Sequence, residues 1–301
     1  MPVPSAVVGL RTEPVIHEVD ARWTMAHAAV LGDTGPVHLD TTAAAPVVAH
    51  PLFPVCVEWP AVTAARLLVD RDLLPRHEAA RGVHASHDLV VHRLVRAGDR
   101  LTTTAAVVVV ERRRPGAHQV LRLDTVDEDG LPVATTWMGS LFLGVEVDGP
   151  DRHLDDALPP APPEPSGDAD PAEVGVRCAT SIPIDAGLAH TYTECARIWN
   201  PIHTDAAVAA AAGLPGIILH GTATLALAVS RVVAVHAGGD PHRVRRVTAR
   251  LGAMVMPGSA IVVASAGPVA SAAGATVAFT ARNAEGQPAV RDASVVLGPA
   301  S

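Results

Sequence analysis

Two stretches of the chain have the length and the apolar content of buried helices. They run from Pro54 to Asp70 and from His220 to His236. The second is built almost entirely of Ala, Leu, Val and Thr, so it offers no polar face to water. A helix that is apolar on every side has to be surrounded by protein. We therefore expect a sheet to wrap around it.

Runs of alternating apolar and polar residues, rich in Val, follow each helix. Such runs favour strands, because side chains that branch at Cβ pack well on a pleated surface. Asp129-Gly130 and Glu285-Gly286 predict hairpin turns between them. The predicted strands are Leu101 to Val110, Gln119 to Asp127 and Pro132 to Val145 in the first half, and Ala260 to Ala264, Thr276 to Asn283 and Ala289 to Leu297 in the second.

The order of these elements occurs twice, which indicates an internal repeat. A stretch dense in Pro and Asp, residues 149–176, separates the two copies and reads as a linker that buries no apolar surface. The sequence thus predicts domains at residues 1–148 and 177–301. The fold class is α+β, with two antiparallel sheets that each wrap a central helix and pack as a pseudo-dimer within one chain. Side-by-side packing would pair the open sheet edges.

Composition narrows the classes of function. The net charge of −8 over 301 residues argues against a nucleic-acid partner. All 23 basic residues are arginines, which excludes Schiff-base chemistry through a lysine. Three cysteines without a CxxC motif fit a reducing compartment. With neither a signal peptide nor a membrane-spanning run recognised, we expect a cytoplasmic protein that does not bind a membrane.

The second copy carries the most specific motif. It reads Tyr192-Thr193-Glu194-Cys195-Ala196-Arg197-Ile198-Trp199-Asn200-Pro201-Ile202-His203, and His220-Gly221-Thr222 follows at the start of the apolar helix. This segment resembles the MaoC-like hydratase/dehydratase family. The first copy, including His50-Pro51, is similar to the degenerate N-terminal domain of the double-length members. The resemblance implies a double hotdog fold, an acyl thioester substrate on coenzyme A or a carrier protein, and hydration or dehydration of the α,β bond.

The family's catalytic Asp is missing beside this motif. It precedes the motif Asn by two residues, and here that position is Ile198. The first copy has the opposite defect, because Asp33 and His38 keep the family spacing while Gly35 replaces the Asn. We therefore predict the catalytic residues to be His203 and Asn200 or Asp33 and His38, and leave open which copy holds the working site.

Several further residues are candidates for substrate binding. A backbone N–H of Gly221 or Thr222, at the start of the helix, is expected to hold the thioester oxygen together with His220. Tyr192 would line the acyl pocket. Arg243, Arg245 and Arg246 would bind a phosphate of coenzyme A or of a carrier protein.

Each candidate also has a structural interpretation. Asn200 suits a helix N-cap with Pro201 at the first helical position. Tyr192 suits a packed strand residue, Gly221 a close contact between helix and sheet, and the arginines a solvated face.

The leading prediction is a hydro-lyase that adds water to, or removes it from, an acyl thioester. A hotdog isomerase, cyclase or thioesterase is the alternative that Ile198 suggests, since a site without its acid is suited to proton shuttling without water. A non-catalytic subunit that binds acyl thioesters is a third. No metal-ligand or nucleotide-binding motif was recognised, so we expect no metal and no cofactor. A homodimer of the double-length chain is also expected.

Overall fold

The computed structural model describes residues 2–68, 82–161, 175, 177–271 and 274–299. Its helices are α1 (Ala21–Val30), α2 (Pro36–Leu39), α3 (Pro54–Ala65), α4 (Leu188–Ala196), α5 (Ala206–Ala211) and α6 (Gly221–His236). Short 3-10 helices occur at Ser5–Val7, Asp155–Ala157, Pro201–His203 and Pro241–Arg243. No helix among these residues has the length and apolar content needed to cross a lipid bilayer.

Ten of the fourteen described strands form the main path of the large sheet, five from each half, and β1, β7, β8 and β12 lie outside it. In the first half they are β1 (Val3–Pro4), β2 (Val15–Glu18), β3 (Gly82–Val91), β4 (Arg100–Arg113), β5 (Gly116–Val126), β6 (Pro132–Leu143), β7 (Val147–Asp148) and β8 (Arg152–His153). In the second half they are β9 (Cys178–Pro183), β10 (Val244–Leu251), β11 (Ala260–Ser265), β12 (Val269–Ser271), β13 (Gly274–Arg282) and β14 (Pro288–Leu297).

The strand order has a two-fold pattern. The main path through the large sheet runs β2-β4-β5-β6-β3-β10-β14-β13-β11-β9, and each neighbouring pair on this path is antiparallel. The second five strands repeat the first five in mirrored order around the β3–β10 contact. The two predicted sheets are therefore continuous through their paired edges, and the α+β prediction is confirmed.

The halves are joined by paired sheet edges, as expected, but the two strands that form this contact, β3 and β10, were not among the predicted strands. Strands β3 and β10 pair with Arg246 opposite Val90 and Arg250 opposite Ser86. Arg246 is 9% exposed, and its guanidinium binds both carboxylate oxygens of Asp88 at 2.8 and 2.6 Å. Polar residues at these positions hide the alternation that identifies a strand, because their charges are neutralised across the joint between the halves.

The two central helices, α3 and α6, pack against strands of this sheet. Helix α6 contributes a nearly continuous buried surface, from Ala223 to Val233, to the largest apolar cluster. Helix α3 divides its apolar residues between that cluster and one formed with β4 and β5. The predicted helix from His220 is confirmed. The one from Pro54 ends at Ala65, earlier than predicted, and the predicted end at Asp70 lies outside the described residues.

Part of the predicted linker is packed rather than extended in solvent. Trp137 Nε1 donates to the carbonyl of Ala157 at 2.7 Å, and Ala157 is buried in a small apolar cluster on the other face of the sheet. Strand β8 also pairs with β4. The assumption that this stretch buries no apolar surface is therefore wrong for residues 152–158. Residues 162–174 and 176 of the predicted linker lie outside the described residues.

Candidate active site

The loop after α1 carries the first-half pair. Gly32 at φ +78° reverses the chain, and the Asp33 amide donates to the carbonyl of Ala28 at 3.0 Å. The short helix α2 begins at Pro36 and holds His38, which is 5% exposed. His38 Nδ1 lies 2.8 Å from the carbonyl oxygen of Val48. A carbonyl only accepts, so Nδ1 carries the proton and Nε2 is left with a lone pair. His38 is thereby set up as a base.

Two side chains hold the Asp33 carboxylate. Ser230 Oγ on α6 donates to Asp33 Oδ2 at 2.8 Å, and His50 Nε2 lies 3.4 Å from the same oxygen. His50 Nδ1 accepts the amide hydrogen of Leu52 at 3.0 Å, so the ring hydrogen is on Nε2. Burial raises the pKa of Asp33, and the hydrogen bond from Ser230 opposes that rise. The carboxylate thus depends on a residue from the other half of the chain.

Asp33, His38 and His50 face a common cavity of about 260 Å³. Its opposite wall is Ser230, Val233 and Ala234 of α6. A water molecule in this space could be hydrogen bonded by His38 and Asp33 together, which is the arrangement that water addition needs. The site therefore combines the motif loop of one half with the central helix of the other.

The second-half loop repeats this geometry. His203, at the end of the Pro201–His203 helix, has its Nδ1 2.8 Å from the carbonyl of Ile218. This is the counterpart of His38 and Val48. Asn200 occupies the N-cap position, but its side chain makes no capping hydrogen bond. The predicted backbone position of Asn200 is confirmed, and its amide is left on the wall of a second cavity.

His203 stacks on His220, with ring centroids 3.7 Å apart. Burial, with His203 nearby, lowers the pKa of His220 to about 3, and burial also lowers the pKa of His203. Both rings are therefore neutral at ordinary pH. His220 Nε2 lies 3.3 Å from Thr193 Oγ1, whose hydrogen goes to the carbonyl of Ala189 at 2.8 Å.

The second site lacks the acid and its support. Ile198 is the counterpart of Asp33, five residues before the motif His, and it is 5% exposed. Ser230 follows His220 by ten residues, and Pro60 follows His50 by the same interval. Both members of the Asp33–Ser230 hydrogen bond are thus replaced by apolar residues.

The start of the central helix offers a backbone N–H in the second site and none at the corresponding position of the first half. Gly221 opens α6 and lines the second cavity together with Thr222, whose Oγ1 accepts from Tyr192 OH at 3.3 Å. A Cβ on Gly221 would approach Leu251 Cδ1 to 2.7 Å, so packing also requires this glycine. The counterpart of Gly221 in the first half is Pro51, which has no N–H to offer a thioester oxygen.

Tyr192 and the arginines take positions that their predicted roles did not anticipate. Tyr192 lies on α4 instead of a strand and is fully buried. Arg246 also donates to the carbonyls of Pro160 and Ala161, so its contacts make it a structural residue of the joint and do not support phosphate binding. Arg243 donates to the carbonyl of Gly298 at 3.1 Å. Arg245 is exposed.

Three residues of these cavities were not singled out as site residues from sequence. Glu58 is the charged residue in an otherwise apolar helix, α3, which was the available signal. His87, on strand β3, lines the second cavity. Ser230 interrupts the apolar run of α6, but its partner Asp33 is 197 residues away in the chain. No sequence pattern links residues at that separation.

Two family models match separate parts of the chain. A MaoC like domain matches residues 172–283, and a FAS1-like dehydratase domain region matches residues 6–136. A UPF0336 protein from Clavibacter michiganensis subsp. michiganensis is 36% identical over 113 residues, which cover 36% of this chain and 73% of that protein. The peroxisomal enoyl-CoA hydratase 2 of Arabidopsis thaliana is 36% identical over 64 residues, 21% of each protein.

The chain spans a small part of several curated relatives that it matches, for example 4% of a fatty acid synthase beta subunit from Emericella nidulans to which it is 40% identical over 72 residues. Solved structures match it over nearly its full length. A MaoC-like dehydratase from Phytophthora capsici superposes with a TM-score of 0.77, at 19% identity and 98% coverage of both chains. A Mycobacterium tuberculosis protein described as a double hotdog fold gives a TM-score of 0.62 at 16% identity and 96% coverage of both. The predicted double hotdog fold is thereby confirmed.

Proposed function

Because one half of the chain matches a MaoC like domain and the other a FAS1-like dehydratase domain region, we propose that it is a MaoC-like dehydratase that adds water to, or removes water from, the α,β bond of an acyl thioester. We place the proton transfer at Asp33 and His38. The observation that carries this assignment is their shared cavity, in which a base with a fixed tautomer and a carboxylate held by Ser230 face the same space. The corresponding positions of the second site pair His203 with an aliphatic side chain.

In the hydration direction, His38 Nε2 accepts one proton of the water as the water oxygen bonds to the β-carbon. Asp33 accepts a hydrogen bond from the other hydrogen and so fixes the direction of attack. The proton held by His38 is then returned to the α-carbon. Each positioned group is expected to contribute about 10²–10⁴-fold to the rate.

The thioester oxygen gains negative charge during this step and needs a donor. Pro51 cannot supply one, and the Leu52 amide is already bound to His50 Nδ1. Burial, with His38 nearby, lowers the pKa of His50 to about 3, so its ring is neutral and has one N–H, on Nε2. That N–H lies 3.1 Å from Ser230 Oγ and 3.4 Å from Asp33 Oδ2. We therefore assign His50 to the support of the Asp33 carboxylate, and not to the thioester oxygen.

The test is hydration of crotonyl-CoA, followed by the loss of its conjugated enoyl absorbance. Asp33→Asn keeps the shape of the side chain and should lower kcat/KM by about 10²-fold or more. His203→Ala, which removes the motif histidine of the second site, should leave most of the activity. If His203→Ala removes the activity and Asp33→Asn does not, the working site is in the second half. Unchanged turnover in both variants would refute the proposal.

A second candidate function is binding of an acyl thioester without water addition. It is favoured by the split between the sites, since the acid faces one cavity and the free N–H of Gly221 faces the other. Hydration and dehydration should then both be absent in the intact chain, for short and long acyl groups, while acyl-CoA still binds in calorimetry. Turnover by the purified protein would exclude this candidate.

A further inference from the structure

The second cavity is the feature that the proposed reaction does not use. It measures about 240 Å³ and lies between α3 of the first half and the start of α6 in the second. An engineered apolar cavity of roughly 150 Å³ is enough to hold a benzene molecule, so this one can hold a larger group. Most of its wall is apolar, including Val55, Trp59, Val62, Ile198, Leu219 and Val255.

Within this apolar wall lies a buried carboxylic acid. Glu58 is 3% exposed, and Thr136 Oγ1 donates to its Oε1 at 2.6 Å. Burial raises the pKa of Glu58 to about 8, with the hydrogen bond from Thr136 opposing the rise and Asp124 adding to it. Glu58 is therefore protonated at neutral pH and has a hydroxyl hydrogen to donate. An acid in this state is suited to bind a neutral oxygen.

A second polar side chain on the same wall has no partner. His87 is 2% exposed, and neither of its ring nitrogens makes a hydrogen bond within the described part of the chain. Burial, with the ring centroid of His84 5.4 Å from that of His87, lowers the pKa of His87 to about 3. The ring is therefore neutral and offers one N–H and one lone pair. Buried polar groups are almost always paired. The unpaired ring thus points to an occupant of the cavity that supplies a polar atom.

We propose that this cavity is a second binding site, separate from the Asp33 site, for an aliphatic acyl group that carries a hydroxyl or carbonyl oxygen. Glu58 and His87 hydrogen bond that oxygen, and the apolar wall holds the chain. The inference rests on the proposed function only for the choice of a thioester as the probe. With Ile198 at the acid position, the site binds its ligand without adding or removing water.

The experiment compares octanoyl-CoA with 3-, 5- and 7-hydroxyoctanoyl-CoA in the full chain. Binding is measured by calorimetry in an Asp33→Asn background, which prevents turnover. At least one hydroxylated chain should bind about tenfold more tightly than octanoyl, as expected for one added buried hydrogen bond. Glu58→Leu should abolish this preference, whereas Glu58→Gln, which keeps an N–H donor, should retain most of it. Ser230→Ala, in the other cavity, should leave it unchanged.

An infrared measurement on the protein that keeps Glu58 tests the same hydrogen bond without relying on the folding of a variant. The infrared carbonyl band of the protonated Glu58, identified by its loss in Glu58→Gln, should shift when the preferred chain binds. A preference that survives Glu58→Leu, or equal binding of all four chains with no band shift, would overturn the inference. If the preference depends on Glu58 while the wild-type chain hydrates no crotonyl-CoA, the proposed function fails and this inference stands.

Discussion

Glu58 should make the stability of the fold depend strongly on pH. Its pKa is raised from 4.5 to about 8 in the folded chain. Between these two values the native state holds a proton that the unfolded state releases, so the free energy of unfolding falls as pH rises. The stabilisation is fully present below about pH 4.5 and is lost as the pH rises through the folded value. Glu58→Gln has no proton to lose, and its stability should not show this contribution.

The size of the effect follows from the pKa difference. Each unit corresponds to roughly 1.4 kcal/mol, so the total reaches about 5 kcal/mol. Near about pH 5 the wild type and Glu58→Gln should have similar free energies of unfolding, because Gln keeps the hydrogen bond with Thr136. Near about pH 8 the variant should be more stable by about 4 kcal/mol. The stabilisation by the buried acid is thus lost progressively between about pH 4.5 and about pH 8.

Urea unfolding at several pH values between these limits measures the difference. Buried histidines also titrate, but they are common to both proteins, and the difference between wild type and variant removes their contribution. Glu146→Gln is the matched control, since Glu146 is exposed. A wild-type-minus-variant difference that stays constant over this range would show that Glu58 is not protonated in the folded chain and would refute the reasoning.

Three other predictions use single side chains. Ser230→Ala should lower kcat/KM for crotonyl-CoA about tenfold and move the acidic limb of its pH profile upward, because the hydrogen bond that lowers the pKa of Asp33 is lost. Arg246→Met should lower the free energy of unfolding, measured with urea, by about 3 kcal/mol, because Asp88 stays partly buried without its partner. Asp88→Leu in the same chain should restore most of this loss. His27 is fully buried with a lowered pKa, so its stabilisation is present above the unfolded pKa of 6.5 and is lost as the pH falls. His27→Leu should therefore reduce the drop in melting temperature on acidification, and an unchanged drop would contradict this.

The parts of the fold that were predictable are those whose pattern repeats locally. Strands β4 to β6 alternate in register with their neighbours, and Gly130 and Gly286 take the positive φ of tight turns, at +76° and +75°. Helix α6 could be placed because every face of it is apolar. These signals need only neighbouring residues, so sequence alone contains them.

The parts that were missed depend on contacts between distant residues. Strand β10 reads as a charged segment until Asp88, 158 residues earlier, neutralises Arg246. The support of Asp33 by Ser230 is equally remote. Tyr192, for which the structural interpretation was a packed strand residue, lies instead on the short helix α4, which packs on α1 of the other half. Tertiary partners decide such positions, and local propensity does not report them.

The difference between the two sites depends on residues from both halves of the chain. Each cavity is built from the motif loop of one half and the central helix of the other. A substitution in the loop therefore changes which helix residue of the other half can bind the new side chain. An Ile198→Asp substitution alone would place a carboxylate on an apolar wall, where the position corresponding to Ser230 is Pro60 and offers no hydroxyl. Such a carboxylate would be poorly solvated and would take up a proton rather than act on water. Restoring the acid in the second site therefore requires a change in the first half as well, and the halves cannot be considered as independent catalysts.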